Sequence, residues 1–302
     1  MVVTTDPVSM IPAIGPKLSA WLSVHLIASD YATCGLMPQF ASFDFNLPVE
    51  MTPSDRESYL REVGNSCKEL GIAIVAGHTG SYPGAGYTVV GGGVMFGFAR
   101  KKGYVDPSMA RAGDAVLMTK GAAIEAAASL ANSFPRHTRG LIGESLANKA
   151  MALLRSCSVV RDALAAASIG LGPGGVTSMH DATEGGVLGG LDEMASACGR
   201  SMVVKKGEIL QLEEASAVCS AFGINPFTAL SEGTLLITCN PARTDELVRR
   251  LTGERIRTAV VGEVGKGKGL WMTIRGRPPR RVLPPPDPYW RAYSKAAQSG
   301  LQ

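Results

Sequence analysis

Four residues in this chain stand where chemistry could be done: Asp6, Asp30, His78 and Asp181. Each lies at or near the end of an apolar stretch, beside Gly, Thr or Ser. Apolar elements do not normally end in carboxylates unless these meet solvent, a helix terminus or a cation. Mg²⁺ takes carboxylate oxygens and retains waters, so one or two Asp plus phosphate oxygens make up a nucleotide–metal site. Each residue also has a plainer reading. Asp6 could be a turn residue before Pro7. Asp181 could cap the helix after it, with Glu184 favouring that helix's N-terminal dipole. His78 could be a satisfied structural histidine.

Glycines add to the pattern at two places. Gly185-Gly186, ahead of an apolar helix, lets another group approach the backbone and leaves N–H donors for an anion, with Thr183 just before them. Thr119-Lys120-Gly121 places a cation between a strand end and a helix start. It is not a Walker A loop, because the GxxxxGK[ST] spacing is absent. Gly91-Gly92-Gly93 lies within a strand-like segment, where close packing or a bulge explains it better than phosphate. There is no GxSxG elbow, no dinucleotide fingerprint, and no cysteine beside a histidine at a helix start.

The elements that must position these residues alternate in type. Strands are expected at Val2–Thr5, Gln39–Leu47, Ile72–Ala76 and Tyr87–Phe98, and helices at Leu18–Ala32 and from a Ser54…Glu57 capping box to about Leu70. Beyond a boundary at Pro107–Gly113, strands are expected at Asp114–Thr119, Val176–Met179, Ser201–Lys205, Thr234–Cys239 and Thr258–Val264. Helices are expected at Ala122–Ala131, Ser145–Ala167, Val187–Ala197, Leu212–Phe222 and Thr244–Leu251. Pro284, Pro285 and Pro286 open a tail of low structural content. Adjacent strands joined by turns favour two α+β domains over a doubly wound sheet. The expected domains are 1–112 and 113–283, with 284–302 as the tail.

The chain has 302 residues, 45% hydrophobic and 19% charged, a globular composition with room for two cores. A net charge of +4 is too small to imply nucleic-acid binding, and Arg275, Arg277, Arg280 and Arg281 form a proline-interrupted cluster that reads as a solvated tail. The six cysteines show no zinc spacing and sit mostly in apolar stretches, as reduced thiols do. No signal peptide or membrane span is evident, so the expected location is cytoplasmic, with no membrane partner.

Six short motifs occur in order: Thr4-Thr-Asp6-Pro7, Val24-His-Leu-Ile-Ala-Ser-Asp30, Ala76-Gly-His-Thr79, Met118-Thr-Lys-Gly-Ala-Ala-Ile-Glu125, Met179-His-Asp-Ala-Thr-Glu-Gly-Gly186 and Ala229-Leu-Ser-Glu-Gly233. Together they resemble the AIR synthase-related superfamily from about Val2 to Val264, with the HypE-like hydrogenase maturation proteins in particular matching His180–Gly186 and Ser231–Gly233. The resemblance implies an N-terminal mixed βα domain, a C-terminal α+β domain, a homodimer formed through N-domain strands, and ATP with Mg²⁺ in a cleft of each subunit. Asp6, Asp30 and Asp181 resemble metal-binding residues, and His78 and Asp181 stand at catalytic positions. Asp6, Thr79, Lys120, Gly121, Thr183, Gly185 and Gly186 stand at nucleotide-binding positions. The implied activity is phosphorylation or activation of a carbonyl- or carboxamide-type oxygen of a small molecule or protein. The alternative is a non-catalytic dimeric scaffold with weakened nucleotide binding.

Three departures bear on that choice. Relatives carry a further N-terminal segment with a glycine-rich loop and another metal-binding aspartate, ahead of the strand where this sequence starts. The HypE tail ends in the cysteine that is modified, whereas this sequence ends Gln298-Ser-Gly-Leu-Gln302, so HypE's own reaction is not expected. Ser29-Asp30 stands where Asn-Asp is usual.

Overall fold

A computed structural model describes residues 1–275 and 277–301. The chain divides into two compact units, one of Met1–Ala32 with Leu36–Lys101, the other of Thr33–Gly35 with Lys102–Gln302.

The first unit runs β1 (Val2–Ser9), α1 (Gly15–Ala32), β2 (Phe40–Pro48), α2 (Pro53–Glu69), β3 (Ala73–Tyr82) and β4 (Val89–Gly97). Its four-stranded sheet has the order β1-β4-β2-β3, with only β2 and β3 parallel. Helix α1 buries Leu22, Val24, Ile27, Ala28 and Tyr31. Two of its serines hold the chain leaving β1: Ser9 N–H donates to Ser23 Oγ at 2.9 Å, and Ile11 N–H to Ser19 Oγ at 2.9 Å. These bonds replace ladder partners that the chain loses as it turns.

Strand β1 does not stop at Thr5. It continues through Asp6 and Pro7 because it is an edge strand, where proline's missing donor costs no ladder bond. Asp6 is therefore a strand residue, not a turn residue. Strand β3 likewise runs past Ala76 to Tyr82, its register following β2 to Pro48↔Tyr82. The cap of α2 lies two residues earlier than the expected Ser54…Glu57 box. Thr52 Oγ1 accepts from Asp55 N–H at 3.1 Å and Pro53 takes the first turn, while Glu57 pairs with Arg61 one turn on.

The second unit comprises β5 (Ala115–Thr119), α3 (Ile124–Ser133), α4 (Pro135–Ile142), α5 (Glu144–Ala152), α6 (Val160–Ala167), β6 (Val176–Asp181), α7 (Gly186–Cys198), β7 (Ser201–Lys205), α8 (Glu213–Ala221), β8 (Leu235–Cys239), α9 (Thr244–Gly253), β9 (Thr258–Gly265), β10 (Gly269–Thr273), β11 (Arg280–Val282) and α10 (Tyr289–Gln298). Its seven-stranded sheet has the order β11-β10-β7-β9-β5-β8-β6. Every residue of β8 is buried, as a strand covered on both faces must be. Val116, Met118, Leu236, Val261 and Leu270 share a core cluster with Val187, Leu191 and Met194 of α7, so α7 covers that face.

Two expectations are corrected here. The continuous helix over Ser145–Ala167 is instead α5, a 3-10 turn at Leu153–Ser156, and α6. Ser156 carbonyl packs so close to Gly233 that an added Cβ there would lie 2.3 Å from it, and Ser158 carbonyl accepts from Lys120 Nζ at 2.7 Å. The break is held by tertiary partners that local periodicity does not record. The C-terminal tail is also structured. Tyr289 and Ala296 of α10 are buried, and the Tyr293 ring lies 5.3 Å from Phe134. Gln302, the last residue of the expected tail, lies outside the described residues.

Candidate functional site

In the first unit, Thr4, Asp6 and Val8 alternate onto one face of β1. Thr4 Oγ1 donates to Asp30 Oδ2 at 3.1 Å, which draws the end of α1 to that face. Asp6 and Thr4 are two residues apart, about 7 Å along a strand. Asp6 and Asp30 are thus brought to the same face. Glycine makes this possible: Gly93 pairs with Asp6, and a Cβ there would lie 2.5 Å from Ile27 of α1.

His78 and Thr79 are placed elsewhere. They lie on β3, the opposite edge of the sheet from β1, about 14 Å away at ordinary strand spacing. Both are exposed. His78 Nε2 is 2.8 Å from Tyr82 Oη, one strand face along. They border an open depression of about 370 Å³ lined by Phe43, Phe45, Leu60, Val63 and Ile74. Within this unit, His78 does not join the aspartates.

In the second unit, β5 ends in Thr119 and Lys120 adopts positive φ, +56°. Its ammonium turns inward, donating to Ser158 carbonyl at 2.7 Å and to Asp162 Oδ2 at 3.2 Å, with Asp162 almost fully buried. Gly121 allows Leu212 to pack where a Cβ would lie 2.9 Å from the leucine side chain. The start of α3 has no cap of its own; Ala123 N–H donates instead to Ser231 Oγ at 2.8 Å. That bond ties the Met118–Glu125 motif to the Ala229–Gly233 motif, and Thr234 Oγ1 reinforces it by donating to Gly121 carbonyl at 2.5 Å.

Around this knot lie groups that sequence reasoning did not single out: Glu125, Glu232 and Asp162. Asp162 is placed by its bond to Lys120, and the fully buried Cys157 locates the two glutamates. Its thiol is pushed well above the ordinary range, first by burial and then by the charges of Glu125 and Glu232, with Lys120 opposing. The thiol therefore stays protonated, and the acidic pair and Lys120 share one neighbourhood. Glu125 and Glu232 lay inside quoted motifs, but no spacing marked them as neighbours of Cys157.

Asp181 is the last residue of β6 and is 3% exposed. It does not cap α7; Gly185 is the N-cap, at φ +77°, followed by Gly186 at φ +61°. The turn between is held by Thr183, whose carbonyl accepts from Gly186 N–H at 3.0 Å and Ser231 N–H at 3.2 Å. Gly186 is held against Ala229, whose carbonyl would lie 2.6 Å from an added Cβ. The Gly185 amide is not open to solvent ligands in this state: it donates to Asp287 Oδ2 at 2.8 Å. A carboxylate already sits where the αL turn offers an amide to an anion. Preceding Asp181, His180 contacts Glu193 Oε2 through Nε2 at 2.7 Å.

Among the described residues, no group of three or more His, Cys, Asp or Glu is gathered to hold a metal. None of their helices is long and apolar enough to cross a membrane.

Residues 1–99 match the family model described as AIR synthase related protein, N-terminal domain, and residues 111–274 match its C-terminal domain. A curated relative, the carbamoyl dehydratase HypE of Cupriavidus necator, is 27% identical over 277 residues, 87% of this chain and 73% of that protein. Among solved structures, the Escherichia coli hydrogenase maturation protein HypE superposes with a TM-score of 0.77 at 22% identity, covering 95% of this chain and 87% of that one. A HypE in complex with ATP gives a TM-score of 0.76 at 21% identity, covering 94% and 84%. At these identities the superpositions establish the shared fold.

Proposed function

Because the chain belongs to the AIR synthase related family, we propose that it binds ATP with Mg²⁺ and phosphorylates or otherwise activates a carbonyl- or carboxamide-type oxygen. The observation that carries this reading is the placement of Asp6 and Asp30 on one face, with Thr4 bonded to Asp30. Two carboxylates and a hydroxyl form a hard-oxygen donor set that suits Mg²⁺, whose remaining ligands are ordinarily phosphate oxygens and water. Bound there, the metal would neutralise phosphate charge. Asp181, at the end of β6 in the second unit, is proposed separately as a metal-binding carboxylate. Phosphoryl transfer needs positioning and charge neutralisation more than covalent chemistry by the protein. Gly185 and Gly186 would meet a phosphate with backbone N–H groups, and the Asp287 carboxylate at Gly185 indicates that this turn accepts an anion. Thr183 holds that turn in shape, and Gly121 holds the start of α3. Lys120 is tied to Asp162 and positions the α5–α6 break. Its ammonium would have to leave Asp162 to reach a phosphate. His78 and Thr79, on the far edge strand, would act only where a substrate reaches β3.

A relative named for dehydrating a carbamoyl group supports a carboxamide as the acceptor. A carboxamide oxygen is a poor leaving group; attack by that oxygen on the γ-phosphorus, with ADP departing, converts it to a phosphate ester that can leave. A cytoplasmic homodimer is part of the same proposal, with the exposed β3 edge as its contact.

A second reading is a dimeric scaffold with weakened nucleotide binding. The engagement of Lys120 by Asp162 and of Gly185 by Asp287 favours it. Calorimetric titration with ATP, with and without Mg²⁺, separates the two. The enzyme reading expects Mg²⁺-dependent binding that Asp6→Asn or Asp30→Asn weakens by about tenfold or more, the factor about 1.4 kcal/mol produces. Binding indifferent to both substitutions would refute the metal assignment. No binding by folded protein, or binding without turnover of any carboxamide tested, would leave the scaffold.

A further inference from the structure

A second cavity lies in the C-terminal unit away from the candidate site. It has a volume of about 340 Å³ and is lined by Ser108–Arg111, the Gly172–Pro173 turn, Thr177 at the start of β6, and Cys198 and Arg200 at the end of α7. Thr177 stands four residues from Asp181 along β6, about 13 Å at strand rise. The two sites therefore occupy opposite ends of the same strand.

Arg161, Arg243, Arg250 and Arg257 are each tied to a carboxylate or a carbonyl. Arg111 and Arg200 line a common cavity, and neither guanidinium enters any ion pair or side-chain hydrogen bond among the described residues. The nearby carboxylate, Asp114, is 5% exposed and already engaged. It accepts from Arg111 N–H at 2.8 Å and from Thr177 Oγ1 at 2.6 Å, and Thr177 Oγ1 is in turn 2.7 Å from Thr238 Oγ1. That network fixes the floor and holds the Arg111 backbone. Asp114 and the C-terminal dipole of α7 oppose an anion here; two guanidinium charges outweigh one carboxylate and a partial charge. Met109, Ala110 and Pro173 supply an apolar wall.

We propose that this cavity is a binding site for a small organic anion, a phosphate- or carboxylate-bearing molecule held by Arg111 and Arg200 with its apolar part against Met109 and Pro173. Guanidinium forks pair with either anion in bidentate fashion, so the recognition chemistry is shared. The volume admits a molecule of small-metabolite size. The site is independent of the nucleotide proposal, since none of its residues belongs to that assembly.

Titrations of the full chain with orthophosphate and, separately, with succinate test it. Saturable binding of either is expected, and the stronger of the two identifies the anion class. Arg111→Gln and Arg200→Gln should each weaken that binding by about tenfold or more, and the double variant should abolish it. Both arginines are exposed, so these variants should fold as the parent does. The same affinity is expected in Asp6→Asn protein. Cys198 gives a local readout: the bound anion should slow its alkylation by N-ethylmaleimide in the parent and not in the double variant. The proposal is overturned if neither anion binds saturably up to about 10 mM, or if the double variant binds as the parent does.

Discussion

His180 and Glu193 form a contact whose strength follows pH. Burial works against the imidazolium, yet the bond to Glu193 and the charge of Asp181 outweigh it, so the His180 pKa is raised from 6.5. The same bond lowers Glu193 from 4.5, although its side chain is more than half exposed and the effect is screened. A raised histidine adds stability fully present below its unfolded pKa and lost as pH climbs through the folded one. A depressed glutamate adds stability present above its unfolded pKa and lost as pH falls through the folded one. Their joint contribution therefore peaks between about pH 4.5 and 6.5. His180→Gln should lower the thermal midpoint most in that window and progressively less above it; a deficit independent of pH would show that the pair does not titrate as described. At this scale the sequence exposes single residues better than partnerships. Asp6 and Asp30 stood out because carboxylates ended apolar runs. Asp162, Glu125 and Glu232 did not, because what distinguishes them is proximity across long stretches of chain. Asp287 was hidden by the prolines before it.

The ends of elements carry information that their middles do not. Thr52, not Ser54, closes the first turn of α2, since its hydroxyl accepts from Asp55 N–H and Pro53 follows it. Thr52→Ala should cost about 1 kcal/mol in denaturant unfolding, whereas Ser54→Ala should change stability by only a few tenths. The reverse order would restore the Ser54…Glu57 box. Two overlapping patterns, Thr-x-x-Asp and Ser-x-x-Glu, compete in this stretch, and the proline decides between them because it suits the first turn and cannot donate. Helices with one clear face, such as α7, α8 and α9, were legible from spacing. The α5–α6 break was not, because Lys120, 38 residues from Ser158, and Gly233, 77 residues from Ser156, impose it from far along the chain. Strands β10 and β11 escaped notice because Gly269–Thr273 is short and Arg280–Val282 is mostly charged.

As a whole, the molecule has a two-unit organisation that was readable in its motif order, since order survives where each motif alone is weak. The edge strand β3 is exposed along nearly its whole length, with Ile74 46% and Val75 53% exposed. Edges of this kind invite another strand. Light scattering should give twice the 31.6 kDa chain mass, and Val75→Lys should shift it towards the single chain. A single-chain mass for the unaltered protein would remove β3 as a contact. At the other end of the sequence, Asp287 seats the final segment by its bond to Gly185, and Trp290 follows one helical turn later at 56% exposure. Trp21 is buried and Trp271 half-buried. The long-wavelength edge of the indole emission therefore belongs chiefly to Trp290, so the protein carries its own optical gauge of whether that final segment is docked or detached.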